Sequence, residues 1–266
     1  MQWLIISVGA ALGVVFGSFL NVVIHRGPAL WRLVDDDEGR RRGGLAFPGS
    51  YCPACGKSLG PAEIVPLASY IVQRGKCTQC SAEIPPRYPV VELLGLIAGG
   101  GAAFFFGASL AGVLAATFLL ALISLAAIDL ETGYLPDAIT FPLIALGIGA
   151  NAFGLFVPIE DAAIGAVAGY CVFWAVAAGY RALRGIDGLG LGDAKLLAGV
   201  GAWAGWQALA PTVLVAALSS LAVIAALSLL GKEFQRDTAV PFGPALAAGG
   251  AAAFIYAAAG GDLFLL

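Results

Sequence analysis

The sequence is poor in charged residues. Asp, Glu, Lys and Arg make up only 12% of its 266 residues, whereas 60% are hydrophobic. A soluble globular domain ordinarily carries about 25% charged and about 45–50% apolar residues. The shortage of charge therefore excludes an ordinary water-soluble domain and favours a protein that faces lipid. Several apolar runs reach the roughly 18 residues that a transmembrane helix requires.

The first residues lack the basic region and the small-residue cleavage site that mark a secretory signal peptide. Their apolar run, MQWLIISVGAALGVVFGSFLNVVI, is also too long for the core of such a peptide. We therefore expect this stretch to remain as a first transmembrane helix. An internal repeat, of the kind found in many transporters, is also missing.

The apolar runs predict an all-α polytopic membrane protein with about eight transmembrane helices. Their expected limits are 2–24, 88–107, 109–130, 137–157, 160–181, 194–207, 209–231 and 241–262. This pattern divides the chain into a first transmembrane helix at 1–24, a polar insertion at 25–87 and a seven-helix membrane bundle at 88–266. At the break near Trp206, the sixth and seventh spans could also be read as a single long helix.

The distribution of Lys and Arg supports eight spans. All fourteen lie in three connections, at 25–87, 181–195 and 232–237. Eight spans place these connections on one side of the membrane, and the positive-inside rule makes that side cytoplasmic. Both termini then lie outside. Fusing the sixth and seventh spans would move Lys232 and Arg236 across the membrane, which disfavours fusion.

The insertion contains two CxxC pairs in the arrangement C-x2-C-x21-C-x2-C, formed by Cys52, Cys55, Cys77 and Cys80. Four thiolates from two such turns are typical of a structural zinc site. Two disulfides or a redox pair are the alternatives, and a cytoplasmic location argues against stable disulfides. The fifth cysteine, Cys171, is expected to be a buried apolar residue of the fifth span.

Two aspartates lie at expected membrane ends on the same face. Asp129 ends the third span and Asp193, within GLGLGDAKLL, starts the sixth. Ionisable groups at membrane depth are costly and commonly functional. Two neighbouring carboxylates can share a proton and hydrolyse a peptide without a metal. The alternative is that both only cap helices, and Asp137 after Pro136 is expected to be an N-cap or first-turn residue of the fourth span.

Five ordered motifs resemble those of the type IV prepilin peptidases, a class of membrane aspartic proteases. They are GSFLNVVIHR, the two CxxC pairs with RGKC and RYPVVE, IDLETGYLPDAIT, GLGLGDAKL and VPFGPALAAG. The resemblance implies that Asp129 and Asp193 form the catalytic pair. It implies cleavage of the basic leader of prepilins or pseudopilins at the cytoplasmic face of the bacterial inner membrane, with both termini periplasmic. It implies no nucleic-acid partner.

The same family is bifunctional, and it methylates the new N-terminal residue with S-adenosylmethionine. This second activity is attributed to the cysteine-bearing region, where Arg87 and Glu92 of RYPVVE are candidates for holding the amine or the methyl donor. Their simpler role is to anchor the second span. Two alternatives remain open: a peptidase without methyltransferase activity, and a polytopic transporter or scaffold with a zinc-bound docking domain.

Overall fold

The structure, a computed structural model, describes residues 1–34, 43–185, 190–230 and 241–261. Within these ranges the fold is helical, with two isolated β-bridges and no strand. Nine α-helices occur in the described part of the chain: α1 Gln2–Leu30, α2 Ala68–Val72, α3 Arg87–Phe106, α4 Leu110–Thr132, α5 Asp137–Ala152, α6 Ile159–Arg184, α7 Leu191–Ala204, α8 Leu209–Leu229 and α9 Gly243–Ala258.

The expected all-α polytopic membrane fold is confirmed. All helices except the short α2 correspond to the eight predicted spans. Among the described residues, five stretches are long and apolar enough to cross a membrane: α1, α3, α4, α6, and α8 with the turn before it. Helices α5 and α9 are shorter apolar helices. Several basic residues of the orientation argument, Arg40–Arg42, Lys232 and Arg236, lie outside the described residues.

The break between the sixth and seventh spans is confirmed. Helix α7 ends at Ala204, a 3-10 turn spans Trp206–Ala208 and α8 begins at Leu209. The residue between them, Gly205, has φ 79°, a left-handed conformation that residues with a Cβ rarely adopt. This glycine therefore ends α7 and separates two helices that hydropathy alone could join.

The chain forms two compact units, divided between Ser124 and Leu125. In the first unit, α1 packs against α3 along a stripe of glycines spaced four residues apart. A Cβ at Gly9 would lie 2.6 Å from Ala103 Cβ, and one at Gly95 would lie 2.9 Å from Gly17 Cα. Gly13 and Gly99 continue the same contact. Small residues at this spacing let membrane helices approach at backbone distance.

Helix α1 continues to Leu30, beyond the predicted span limit at residue 24, because its end is fastened to the insertion. Arg26 is buried and its guanidinium donates to the carbonyls of Gly44 and Pro48, at 2.8 Å each. Asn21 Nδ2 donates to the carbonyl of Tyr88 at 3.1 Å, at the start of α3. These bonds fix where the insertion leaves one helix and enters the next.

In the second unit, α7 is the central helix, and most of its residues from Ala194 onward are buried. It has polar anchors to α5: Trp203 Nε1 donates to Leu143 O at 2.8 Å, and Asn151 Nδ2 donates to Ala202 O at 2.9 Å. Its contact with α6 is close, since a Cβ at Gly169 would lie 2.8 Å from Leu197 O. Helix α7, which carries Asp193 in its first turn, is thereby fixed against α5 and α6.

Candidate active site and metal centre

The four predicted cysteine ligands converge on one point. Their sulfur atoms all lie within 4.8 Å of one another, and Cys52 Sγ and Cys80 Sγ are 3.8 Å apart. A tetrahedral zinc with Zn–S bonds of about 2.3 Å requires sulfurs about 3.8 Å apart. All four thiols are free of disulfides. The cluster can therefore hold a metal ion, and its geometry fits four-thiolate coordination.

Each CxxC pair lies in a tight turn with the same backbone pattern. Cys52 N–H donates to Lys57 O and Cys77 N–H donates to Ala82 O, both at 2.8 Å. Gly56 and Ser81, each four residues after the first cysteine of its pair, have φ 72° and 58°. The backbone N–H groups of Cys80 and Gln79 lower the pKa of Cys77 to about 6. Such amides stabilise a thiolate, the form that binds metal.

A polar network joins the two turns. Lys57 Nζ lies 2.6 Å from Glu63 Oε1 and 2.7 Å from Thr78 Oγ1, and the Thr78 hydroxyl also donates to Glu63. Gly60 N–H donates to the other Glu63 oxygen at 2.9 Å. Lys57, Thr78 and Gly60 together lower the pKa of Glu63 to about 2. The cysteine spacing did not predict this network, because its members are not ligands.

Asp129 lies in the last turn of α4 and is buried, with 6% of its surface exposed. Its Oδ2 accepts a hydrogen bond from the backbone N–H of Gly243, the first residue of α9, at 3.1 Å. A Cβ at Gly243 would lie 2.6 Å from the same oxygen. Glycine therefore allows the amide to reach the carboxylate. The sequence offered no signal for this pairing beyond the motif that contains Gly243.

Asp193 lies in the first turn of α7 and is half-buried. Its carboxyl group lies close enough to that of Asp129 for a Coulombic interaction between the two groups. Gly190 precedes the helix in an extended conformation, and a Cβ at Gly192 would lie 3.0 Å from Leu135 Cβ. Gly192 thus lets the start of α7 approach the turn that follows α4. Asp129 lies in the last turn of α4, just before that turn.

An ion pair joins the start of α7 to the start of α5, which follows the same turn. Lys195 Nζ lies 2.5 Å from Asp137 Oδ1 and 5.2 Å from the centre of the Phe141 ring. Asp137 is the first residue of α5, as expected from Pro136, but its carboxylate pairs with Lys195 and makes no side-chain cap. The ion pair connects the beginnings of α5 and α7.

Glu92 and Arg87, the candidates of the second activity, lie on the first turns of α3. Glu92 is buried, and its Oε2 accepts a hydrogen bond from Leu67 N–H at 2.7 Å. The Arg87 guanidinium lies 5.0 Å from the centre of the Tyr88 ring.

The expectation that Cys171 is buried is wrong: it is exposed on α6, because a helix in lipid can turn a small apolar residue outward.

The helices, the thiol cluster and the acidic helix ends together define a polytopic membrane protein whose insertion carries four cysteines able to hold a metal ion. Residues 11–106 match the family model of the bacterial peptidase A24 N-terminal domain, and residues 116–227 match that of the type IV leader peptidase family.

Three relatives carry the name prepilin leader peptidase/N-methyltransferase. The protein of Burkholderia pseudomallei (strain 1026b) is 42% identical over 258 residues, covering 92% of this chain and 83% of the relative. Those of Pseudomonas aeruginosa and Neisseria gonorrhoeae are 39% and 40% identical, each covering 92% of this chain and 88% of the relative. No solved structure matches the chain significantly. The chain belongs to the type IV leader peptidase family, and it is an enzyme.

Proposed function

We propose that this enzyme removes the basic leader of type IV prepilins or pseudopilins, with Asp129 and Asp193 as its catalytic pair. The observation that carries the proposal is that the segments bearing these two aspartates meet, since a Cβ at Gly192 would lie 3.0 Å from Leu135 Cβ in the turn after α4. The names of the relatives support the substrate class.

The position of Asp129 favours catalysis over capping. A carboxylate stabilises a helix near its N-terminus and destabilises it near its C-terminus, because of the helix dipole. Asp129 lies in the last turn of α4, where a negative charge gains nothing from that helix. Asp193 occupies a favourable first-turn position, so capping alone could explain it. A role in chemistry accounts for both.

In the proposed reaction the two carboxyl groups share one proton. The ionised group takes a proton from an attacking water while the protonated group donates a hydrogen bond to the scissile carbonyl. The Gly243 N–H holds Oδ2 of Asp129 in place, and the close contact between Gly192 and Leu135 sets the approach of Asp193. Asp193 is half-buried, which leaves it accessible to water and substrate.

We further propose that the site and the insertion face the cytoplasm of a bacterial inner membrane, with both termini periplasmic. The support is that all fourteen Lys and Arg fall in connections on one side of an eight-span chain. The domain limits that follow are a first helix at 1–24, the insertion at 25–87 and the protease bundle at 88–266.

The insertion is proposed to bind structural zinc through Cys52, Cys55, Cys77 and Cys80. Four protein ligands close the coordination shell, so the zinc would stabilise the fold of the insertion and leave catalysis to other groups. Methylation of the new N-terminus by S-adenosylmethionine is proposed from the names of the relatives. One oxygen of Glu92 already binds Leu67 N–H, which supports an anchoring role over a cofactor contact.

The test of the peptidase is cleavage of a model prepilin by purified enzyme in detergent, read by mass spectrometry. We expect Asp129→Asn and Asp193→Asn each to abolish leader removal while the protein stays folded. The matched control is Asp161→Asn, since Asp161 bonds Trp206 and Gln207 at the other end of α7. If both active-site variants cleaved at the wild-type rate, the catalytic pair would be contradicted and the two aspartates would serve only as helix caps. Gain of one methyl group on the wild-type product tests the second activity.

The test of the metal is elemental analysis of purified, unchelated enzyme. We expect one zinc per chain in the wild type and its loss in Cys77→Ser, because a three-thiolate site binds zinc far more weakly. Cys171→Ser is the matched control, and it should retain the metal. Wild-type enzyme without zinc would contradict the tetrathiolate assignment.

A further inference from the structure

One part of the insertion presents apolar side chains outward. Ile64 and Val65, before α2, and Ile71 and Val72, within it, are exposed, the last two at 73% and 81%. Within α2, Ala68, also exposed, lies three and four residues before Ile71 and Val72, so these three positions share one face of the helix. We name residues 64–72 the apolar segment. A solvated helix shows the opposite pattern, with its apolar side chains turned inward.

The polar side chains of the same stretch are turned inward. Ser69 and Gln73 are half-buried, and Gln73 Nε2 donates to the carbonyl of Glu63 at 3.4 Å. Around α2, Ser69 and Gln73 are thus less exposed than the apolar Ile71 and Val72. Such an arrangement is stable where the outer surface meets an apolar medium.

The depth of the apolar segment follows from a single hydrogen bond. Leu67 N–H donates to Glu92 Oε2 at 2.7 Å, and Glu92 lies five residues after the first residue of α3. At a rise of about 1.5 Å per residue, this level is about 7.5 Å along the helix from Arg87. Val90 and Leu93, which flank Glu92, are exposed on a helix apolar enough to span a membrane. Leu67 therefore lies level with a part of α3 whose exposed side chains are apolar.

The backbone at Leu67 is held in a specific conformation. Leu67 has φ 60° and ψ −50°, a γ-turn conformation that is uncommon for a residue with a side chain, and Ala68 N–H donates to Pro66 O across it at 2.6 Å. Such conformations persist where the surrounding structure fixes them. The bond to the buried Glu92 carboxylate provides that constraint and fixes the position of α2 relative to α3.

We propose that the apolar segment inserts into the interfacial region of the lipid bilayer beside α3. Ile64, Val65, Ile71 and Val72 extend the lipid-facing surface of that helix outward over the membrane. Arg74 and Lys76, exposed immediately after α2, lie where phosphate headgroups would meet them. The metal-binding insertion is then attached to the membrane surface by its own side chains as well as by its two ends. This inference depends on the membrane helices and not on the peptidase chemistry.

The experiment is photo-crosslinking of the full-length enzyme in nanodiscs of phosphatidylcholine and phosphatidylglycerol. A benzophenone amino acid replaces Ile71 or, in a second variant, Val72, and mass spectrometry identifies the adduct. Ile97, exposed on α3, is the lipid-facing control, and Ala54, exposed between the first two cysteines, is the control outside the segment. We expect lipid adducts at both test positions, in yields comparable with the yield at position 97. We expect no lipid adduct at position 54.

Three results would overturn the proposal. The first is absence of lipid adducts at positions 71 and 72 while Ile97 gives them. The second is an adduct to another copy of the chain, which would make the apolar segment a dimer contact. The third is a lipid adduct that is replaced by a prepilin adduct when substrate is added, which would make it a substrate-docking surface. Both test side chains are exposed, so their replacement leaves the interior of the insertion unchanged.

Discussion

Replacing Gly243 by alanine is expected to displace the Asp129 carboxylate. The new Cβ would lie 2.6 Å from Asp129 Oδ2 and 2.9 Å from its Cγ, whereas ordinary contact begins at 3.4 Å. Either α9 or the carboxylate must therefore move by about 0.8 Å. A displacement of roughly 1 Å at a reacting group can cost about 10²-fold in rate, so we expect kcat/KM for leader cleavage to fall by about that factor.

The measurement is the rate of prepilin cleavage by Gly243→Ala compared with the wild type in the same detergent. Gly149→Ala is the matched control, because Gly149 lies inside α5 and its Cβ would meet nothing within 4 Å. That change should leave activity intact and raise helix stability by up to about 1 kcal/mol. Wild-type kcat/KM in Gly243→Ala would refute the reasoning, since the carboxylate position would then not limit the reaction.

Two further predictions concern ion pairs. Asp137→Asn removes the contact with Lys195, a partly exposed pair worth at most about 1 kcal/mol, and should lower the melting temperature by up to about 2–4 °C. Asp137→Glu keeps the charge and should melt like the wild type, and an Asp137→Asn variant that also melts like the wild type would contradict a stabilising pair. Because the pKa of Glu63 is lowered from 4.5 to about 2, its stabilising effect is present above pH 4.5 and lost as the pH falls toward 2. The melting temperature of Glu63→Gln should not show this loss of stability between pH 4.5 and pH 2. If the melting temperatures of variant and wild type changed with pH in parallel, the result would argue against the Glu63–Lys57 contact.

The helices of this protein were predictable because apolar run length is a direct physical requirement of the bilayer. The split at Gly205 followed from the positions of Lys and Arg, and the structure shows its local cause in the left-handed glycine. The cysteine cluster was also predictable, because the ligands of a structural zinc site lie in two short turns with fixed spacing.

The tertiary partners of the acidic residues were not predictable. Gly243 N–H reaches Asp129 from a helix more than a hundred residues away, and no local pattern encodes a backbone donor. The Lys195–Asp137 pair likewise joins two helix beginnings that only the fold brings together. The α1–α3 contact did have a signal, the four-residue spacing of Gly9, Gly13 and Gly17, which hydropathy alone does not register.

That glycine stripe also bears on the order in which the protein is made. The two helices that share it are separated by residues 31–86, so 56 residues must be synthesised after α1 before α3 begins. At about 5–20 residues per second, this takes about 3–11 s. During that interval α1 is in the bilayer without its partner, and the four cysteines emerge before α3. Metal loading can therefore precede helix pairing, and a folded insertion would shorten the loop that α3 must close.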